Sequence, residues 1–405
     1  MTRGLGWIAA FVILAAAITG CQERLTAPAE CPELCPGGES RVFDTVITPP
    51  ANSDTSHVGY VTRTTAGALL VSNGLPASED RAFYRFSARR DSIDVRDTLR
   101  SYLVDSAQLA LNLVARDTLV NGLKLYLYRI DPAVDADETF ESIAQQLVPT
   151  AIIDSIEVPD SVNAGAIRTV LRGADLEKVA LPAGTGGVLA IGVAMAADQP
   201  SGVRIGSVTT GTGATFTSYV TVDVPDTGSL RRQSLPQAPA LNGFVTESPL
   251  VPDGAFLAIG GEPSARALLR FDLPKDIEDS ATIVRATLEL VPRSAMLGLP
   301  SDPAVLQAKA LLADLGAKSP VTTEAGFITS DTLVVGSADT VRLDVTSIVR
   351  LWQGTSEVPE AVFLSLVPQD EGASFTRPVF GSTRSGTGAP RLRLTYLKPF
   401  PFENP

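Results

Sequence analysis

Histidine, cysteine and tryptophan are scarce in this chain of 405 residues, which has one His, three Cys and two Trp. A nucleophilic triad needs a base beside the nucleophile, and His57 is the only imidazole in the sequence. It lies in the polar stretch 52–57, which indicates an exposed loop histidine, and the chain has no G-x-S-x-G motif. These shortages disfavour nucleophilic catalysis, and we expect no resident cofactor.

Charged residues are also few, at 19%, and the 45 acidic residues outnumber the 33 basic ones. The formal net charge of −12 repels nucleic acid and anionic lipid, and its simplest role is to keep the surface solvated. Among so many acids, no carboxylate pair stands out as that of a glycosidase or lyase. The abundant residues are 33 Gly and 29 Pro, which indicate many turns between short strands. The composition therefore predicts an all-β protein.

No apolar run reaches the roughly 20 residues that a membrane-spanning helix needs. The first 20 residues instead form a secretory signal, with Arg3 before an apolar stretch from Leu5 to Ile18. The sequence Ile18-Thr19-Gly20-Cys21 resembles a bacterial lipobox. This resemblance implies cleavage before Cys21, a lipid on its sulfur and attachment to the cell envelope. In a cell with two membranes, Asp directly after the lipidated cysteine would imply retention at the inner membrane. The residue at this position is Gln22, which favours the outer membrane.

The composition of residues 21–40 predicts a flexible tether. Three prolines and two adjacent glycines prevent regular structure, and four Glu keep the segment solvated. Cys31 and Cys35 both lie in this tether. After export, their C-x-x-x-C spacing favours a local disulfide, with two free thiols as the alternative. A metal site is disfavoured, because no second Cys or His pair exists to complete four ligands.

The remainder of the chain contains two series of similar motifs in the same order, at nearly constant separation. This predicts two copies of one domain, with extra residues in the middle of the first. The matched motifs are Gly59-Tyr60-Val61-Thr62 with Gly243-Phe244-Val245-Thr246, Gly67-Ala68-Leu69-Leu70 with Gly254-Ala255-Phe256-Leu257, Arg81-Ala82-Phe83-Tyr84-Arg85-Phe86 with Arg266-Ala267-Leu268-Leu269-Arg270-Phe271, Ala107–Leu111 with Ala286–Leu290, and Gly206–Ala214 with Gly381–Ala389.

Apolar side chains alternate with polar ones inside these motifs, as they do at Leu109, Leu111 and Leu113, and a period of two indicates β-strands. Short helices are predicted at 137–147 and at 346–354, where Trp352 lies on the apolar face. We expect two tandem jelly-roll-like β-sandwich domains. The predicted segments are a signal peptide at 1–20, the tether at 21–40, a first sandwich at 41–225, a linker at 226–240 and a second sandwich at 241–400.

The second copy resembles the DNRLRE family of surface domains. The resemblance rests on Ala267-Leu268-Leu269-Arg270-Phe271-Asp272-Leu273-Pro274, Ala286–Leu290, Val341-Arg342-Leu343-Asp344-Val345-Thr346 with Trp352, and Pro390-Arg391-Leu392-Arg393-Leu394-Thr395-Tyr396. It covers residues 243–397 and implies a secreted or surface β-sandwich, in some members binding acidic polysaccharide. The first copy is divergent, because Leu176-Glu177-Lys178-Val179 replaces the tryptophan-bearing turn. These motifs are mostly core positions, so they predict the fold better than the function.

Candidate binding residues for an acidic polymer are Tyr60 and the outward arginines Arg81, Arg85, Arg266 and Arg270. The alternative role for the arginines is ordinary cross-strand pairing with Asp or Glu.

The densest acidic cluster, at Asp131, Asp135, Asp137 and Glu138, lacks EF-hand spacing. Helix capping by Asp137 or Glu138 is therefore favoured there, with a calcium site as the alternative. The glycine loop 206–214 lacks the lysine of a phosphate-binding loop, and we expect it to form a turn before the last strand.

Together these features favour a non-catalytic, lipid-anchored surface protein that binds or scaffolds extracellular material such as polysaccharide. Its expected partners are the membrane, through the lipid anchor, and polysaccharide or other envelope proteins, but no nucleic acid. The alternatives are a purely structural envelope protein and a polysaccharide lyase or hydrolase.

We predict that Cys21→Ser abolishes metabolic labelling with palmitate and releases the protein from the membrane fraction, because no other anchor is legible in the sequence. Cys31→Ser is the matched control and should leave labelling intact. Equal labelling of the Cys21→Ser variant and the wild type would contradict lipidation at this residue.

Overall fold

The computed structural model describes residues 42–76, 79–180, 187–224, 229–247, 254–262 and 264–398. These residues form 24 strands and four short helices, which confirms the all-β prediction. Cys21, Cys31 and Cys35, the signal and the tether lie outside the described residues. No helix in the described part of the chain is long and apolar enough to cross a membrane.

Fifteen strands precede residue 247. They are β1 (Val42–Ile47), β2 (Asp54–Val58), β3 (Ala68–Asn73), β4 (Asp80–Phe86), β5 (Ile93–Asp94), β6 (Leu99–Arg100), β7 (Tyr102–Arg116), β8 (Lys124–Ile130), β9 (Ile152–Glu157), β10 (Gly165–Leu171), β11 (Ala190–Ala196), β12 (Ser201–Gly206), β13 (Thr215–Val224), β14 (Ser229–Gln237) and β15 (Pro239–Thr246).

Nine strands follow, together with two of the helices. The strands are β16 (Phe256–Ala258), β17 (Ala265–Arg270), β18 (Thr282–Leu290), β19 (Val305–Ala310), β20 (Ile328–Thr332), β21 (Val341–Asp344), β22 (Ala361–Leu366), β23 (Val379–Gly381) and β24 (Arg391–Leu397). The helices are α1 (Phe140–Ala144), α2 (Ala174–Lys178), α3 (Lys275–Glu278) and α4 (Thr346–Gly354).

The first sandwich packs one sheet of order β14-β13-β7-β12-β3, with β10 also on β7, against a sheet of order β15-β4-β11-β8-β9. Alternation creates the core, because Leu109 and Leu111 of β7 and Tyr84 and Phe86 of β4 all point between the sheets and are buried. The ring of Phe216 on β13 lies 5.8 Å from that of Phe86 and joins the two layers. Burial of these side chains supplies the main driving force for folding.

The second sandwich has sheets of order β1-β24-β18-β21 and β2-β17-β22-β19-β20, with the pair β16-β23 alongside. Leu392 and Leu394 of β24 are buried while Arg391 and Arg393 are exposed, as alternation predicts. Both sandwiches have the same order of equivalent strands, and a helix follows the equivalent strands β10 and β21. This shared topology supports the repeat that the motifs predict.

Strand exchange between the copies is the feature that the sequence did not predict. Strand β2 precedes the first sandwich in the chain but pairs with β17 of the second, through Asp54 to Val58. Strand β15 begins the second series of motifs but pairs with β4 of the first sandwich. Strand β1 likewise pairs with β24, and its counterpart β14 with β13. Strands β1 and β2 therefore complete sheets of the second sandwich, and β14 and β15 complete sheets of the first.

The predicted boundary region 226–240 contains a strand, because Ser229–Gln237 pairs with β13 along its whole length. Sheet membership crosses the predicted domain limits at 225 and 241, and the structure does not confirm two separate domains. From Asp44 onward the chain forms one compact unit. The division into two domains stays a prediction.

A buried contact between the sandwiches involves Arg204 of β12. Its guanidinium donates to Asp370 (3.0 Å) and Asp302 (2.8 Å), both carried by loops of the second sandwich. Beside it, the ring of Phe375 packs so closely on Gly202 that a side chain there would collide with it. Phe375 also belongs to the hydrophobic core of the first sandwich. The two sandwiches thus share apolar and charged contacts.

Both predicted helices are present. Helix α4 begins at Thr346 and buries Trp352, whose ring stacks on Phe271 with centroids 6.1 Å apart. Helix α1 is shorter than predicted, because Thr139 accepts from the Ser142 amide and fixes its start. Its Phe140 packs on the outer face of the sheet that contains β4, together with Phe83 and Val245.

The glycine loop is a turn before the last strand of each sandwich, as predicted. Gly211 and Gly386 both have a φ of +71°, a region that favours glycine. Gly206 and Gly381 lie where a Cβ atom would collide with the backbone of residues 212 and 388. The same steric requirement therefore explains the glycines of both copies.

Candidate functional site

The predicted binding arginines of the first sandwich are engaged internally. Arg81 donates to the carbonyl oxygens of Ser72 (2.8 Å) and Asp80 (3.1 Å), and it pairs with Glu79. Arg85 donates to the carbonyl oxygen of Val134 at 2.9 Å. These contacts differ from the alternative of cross-strand pairing with Asp or Glu, because Arg81 pairs with Glu79 two residues away in the chain and Arg85 bonds a backbone oxygen.

The arginines of the second sandwich are also paired. Arg266 binds both carboxylate oxygens of Glu371, and its guanidinium lies 4.0 Å from the centre of the Tyr60 ring. Arg270 donates to both oxygens of Asp314, one of them at 2.9 Å. The structure therefore brings Tyr60 and Arg266 together, but as a cation–π contact that fixes the loop before β3 to the outer face of β17.

His57 was predicted to lie in an exposed loop, and this prediction is wrong. It lies half-buried in β2, opposite Arg266 in the β2–β17 register, with Nε2 3.3 Å from Thr55 Oγ1. The polar composition of 52–57 indicated a loop, but pairing with β17 satisfies its backbone groups as a strand.

The acidic cluster near α1 stabilises a turn. Asp131 accepts from the Ala133 amide and Asp135 from the Asp137 amide, each at 2.8 Å. Thr139, rather than Asp137 or Glu138, caps the helix, while Glu138 accepts from the Ser142 hydroxyl. Among the described residues, no group of three or more His, Cys, Asp or Glu is arranged to hold a metal ion.

Exposed arginines do line a groove of about 470 Å³ on the outer face of the sheet β1-β24-β18-β21. Arg285 comes from β18, Arg342 from β21 and Arg393 from β24, so three neighbouring strands contribute one guanidinium each. Their apolar neighbours Ala286, Leu343 and Leu392 point inward, and alternation therefore turns the arginines outward. We call this feature the arginine groove.

Glu289 lies between two of these guanidinium groups, and the charge of Arg285 acts on Asp344. Glu289 Oε1 is 3.5 Å from Arg342 Nε and 3.6 Å from Arg393 Nε, too far for strong hydrogen bonds. The arginine side chains are 64% and 57% exposed, so their guanidinium groups remain accessible. Arg285 forms no salt bridge with any described residue. Asp44, Thr287 and Thr395 complete the groove.

A second depression of about 660 Å³ adjoins the groove and shares Arg285 with it. Arg350 of α4 lies there, donating to the carbonyl oxygen of Ile283, with Asp344 and Phe327 nearby. The sequence signal for this surface is the alternation Arg391-Leu392-Arg393-Leu394, which indicates a strand and belongs to the DNRLRE-like motifs. The same alternation marks arginines that leave the core.

Asp80 and Glu262 are two buried carboxyl groups whose charges interact. Asp80 accepts from the hydroxyls of Ser72 and Thr246, each at 2.7 Å. Burial and the neighbouring charge of Asp80 raise the pKa of Glu262 to about 8, although Arg63 and Arg377 act in the opposite direction. Thr246 and Arg63 also line an open cleft of about 840 Å³.

A structural role explains these two carboxyl groups better than catalysis. Asp80 is fully buried and Glu262 is 4% exposed, so neither faces the cleft as a general acid or base must. Through its hydroxyl partners, Asp80 joins β4 to β3 and to the exchanged strand β15. The acids are part of the junction between the copies. The sequence did not indicate their burial, because nothing distinguishes these two acids among the 45 acidic residues.

We predict that Glu262 makes stability depend on pH. Its folded pKa of about 8 lies above the ordinary value, so the folded state holds one more proton than the unfolded state between about pH 4.5 and 8. The free energy of unfolding should therefore fall as the pH rises through this range, by up to about 1.4 kcal/mol per pH unit. Urea denaturation between pH 5 and 9 measures this slope.

Glu262→Gln should flatten the slope, because the amide stays neutral at every pH. Glu357→Gln, at an exposed position, is the control and should leave the slope unchanged. The same slope in Glu262→Gln and the wild type would contradict a buried, protonated Glu262.

Comparison with known proteins does not identify a functional site in this chain. The chain matches no family model and no curated protein. The resemblance of residues 243–397 to DNRLRE domains therefore rests on the motifs alone. The all-β sandwich fold is established by the strands and sheets themselves.

Proposed function

We propose that this is a non-catalytic, lipid-anchored protein of the cell envelope, in the outer membrane of a two-membrane cell, that holds acidic extracellular polysaccharide in the arginine groove. The observation that carries the proposal is the cluster of Arg285, Arg342 and Arg393 on one sheet of a chain whose net charge is −12. Guanidinium groups bind carboxylate and sulfate oxygens in pairs of parallel hydrogen bonds. The groove therefore offers an acidic polymer a basic surface within an acidic molecule.

The open shape of the groove favours a polymer over a small anion. Exposed guanidinium groups each contribute little binding energy, about 0.2–1 kcal/mol per pair, so several must act together. Arg391 lies exposed beside the groove and Arg350 lies in the adjoining depression, which lengthens the basic surface along the sheet. A chain of repeated charges can contact these arginines at once. The acidic remainder of the protein repels the same polymer and restricts it to this face.

The absence of catalysis is supported by the state of the candidate groups in the described residues. Asp80 and Glu262 are buried, and His57 is held within a sheet. A polysaccharide lyase or hydrolase needs convergent acid and base groups at an accessible surface. The arginine groove contains Asp44 and Glu289 but no tyrosine or histidine.

A purely structural envelope protein is the second candidate, and the strand exchange favours it. Strands β2 and β15 tie each copy to the other, and Arg204 adds charged contacts between them. Such a unit resists separation under load without needing a ligand.

We predict that the triple variant Arg285→Ala, Arg342→Ala, Arg393→Ala loses retention on immobilised polygalacturonate by about tenfold, because three exposed charge pairs are removed. The soluble form beginning at Gln22 is used throughout. Retention of the wild type should also fall as salt concentration rises. Dextran, a neutral polymer, should not retain either protein.

The matched control changes three other exposed arginines, in Arg100→Ala, Arg231→Ala, Arg232→Ala. It alters net charge equally and should leave retention unchanged. Equal loss in both triple variants would reject the groove as the site. No retention of the wild type by any acidic polymer would favour the structural candidate, and release of shortened polymer would establish an enzyme.

A further inference from the structure

A separate pocket of about 210 Å³ lies in the first sandwich, between the sheet and helix α2. Its walls are mostly apolar, from Val104 and Ala107 of β7, Phe216 of β13, and Leu176, Val179 and Ala180 in and after α2. Arg89, Glu177 and Ser218 complete the lining, and Glu177 is exposed to solvent. It is far smaller than the cleft beside α1, and it is more enclosed than the arginine groove. Its walls are those of a binding cavity for an apolar group.

One polar atom in the pocket wall has no partner. Ser218 is fully buried, and its hydroxyl makes no hydrogen bond with any described residue. A buried hydroxyl without a partner is costly, because it has lost its water without replacement. The Oε1 atoms of Gln233 and Gln237, on the neighbouring strand β14, are also buried without a hydrogen-bond partner among the described residues. In the register, these residues lie on either side of Leu235, which is opposite Ser218.

The pocket is a specific departure from the repeat. In the second sandwich, the equivalent helix α4 has nine residues and buries Trp352 against Phe271. In the first sandwich, α2 has five residues, none of which is buried, and Leu176 is its largest apolar side chain. Helix α2 is shorter than α4 and has no tryptophan, which leaves open the space that Trp352 fills in the second sandwich.

A cationic group lies at the mouth of the pocket. Arg89 is half-buried there, its backbone N–H donates to the Gly187 carbonyl oxygen, and its guanidinium lies 5.9 Å from the centre of the Tyr102 ring. Its side chain also hydrogen-bonds Tyr102, and it forms no salt bridge with any described residue. Apolar walls behind a guanidinium group fit a molecule with an apolar body and an anionic head.

We propose that this pocket binds a small amphiphilic carboxylate, with its apolar body between Ala107, Phe216 and Val179 and its carboxylate on Arg89. An apolar cavity of about 150 Å³ already holds benzene, so the observed volume suits a body somewhat larger than that. The Ser218 hydroxyl lies on the wall between Ala107 and Phe216 and limits the purely apolar part. This site is independent of the arginine groove and lies in the other sandwich.

Titration calorimetry and methyl NMR of the soluble form beginning at Gln22 test the proposal with hexanoate, hexan-1-ol and hexylamine. Hexanoate should bind and shift the methyl signals of Val104 and Val179, hexan-1-ol should bind more weakly, and hexylamine should not bind. Arg89→Gln should weaken hexanoate binding about tenfold or more, because a charge-assisted contact is lost. Arg90→Gln, at the exposed neighbouring position, is the matched control and should bind as the wild type does.

Ala107→Leu fills the pocket and should abolish binding of both hexanoate and hexan-1-ol. Ser218→Ala removes the unsatisfied hydroxyl without adding volume, so it should raise the unfolding temperature of the ligand-free protein. If Ala107→Leu does not fold, the comparison of Arg89→Gln with Arg90→Gln still decides. No hexanoate binding to the wild type, or equal binding by Arg89→Gln and Arg90→Gln, would overturn the proposal and leave a cavity for water only.

Discussion

Reciprocal strand exchange is the constraint on which the rest of the structure depends. Strand β2 pairs with β17, and strand β15 pairs with β4, so neither sandwich has a complete sheet without a strand from the other copy. Edge positions left empty would expose the backbone of β4 and β17, at a cost comparable to losing their hydrogen bonds. The exchange therefore couples the folding of the two copies.

Polar groups at the junction follow from this arrangement. The exchanged strand β15 carries Thr246, which donates to Asp80, and this contact exists only because β15 lies beside β4. Glu262 is buried against the same acid, and burial keeps its carboxyl protonated to about pH 8. The arginine groove also depends on the exchange, since Asp44 of β1 lines it from the edge of a sheet otherwise built by the second copy.

Alternation in the sequence was sufficient to predict the strands and the sandwich class, and the apolar face of 346–354 was sufficient to predict α4. The partner of β2 was not predictable. Arg81–Phe86 and Arg266–Phe271 have the same pattern, so the repeat makes both pairings equally compatible with the sequence. The accessible arginines were missed for a related reason. Glu371 and Asp314 neutralise Arg266 and Arg270 from distant loops, and such long-range partners leave no local signal.

Equilibrium urea denaturation with one fluorescent probe in each sandwich tests the coupling most directly. Trp352 reports on the second sandwich in the soluble form beginning at Gln22, and the variant Tyr128→Trp, Trp352→Phe reports on the first. Strand exchange predicts a single cooperative transition in each protein, with each probe following the same curve as the circular dichroism signal of its own protein. The opposite result is that one tryptophan signal completes its transition while the other sandwich remains folded. That result would contradict the coupling of the two sandwiches.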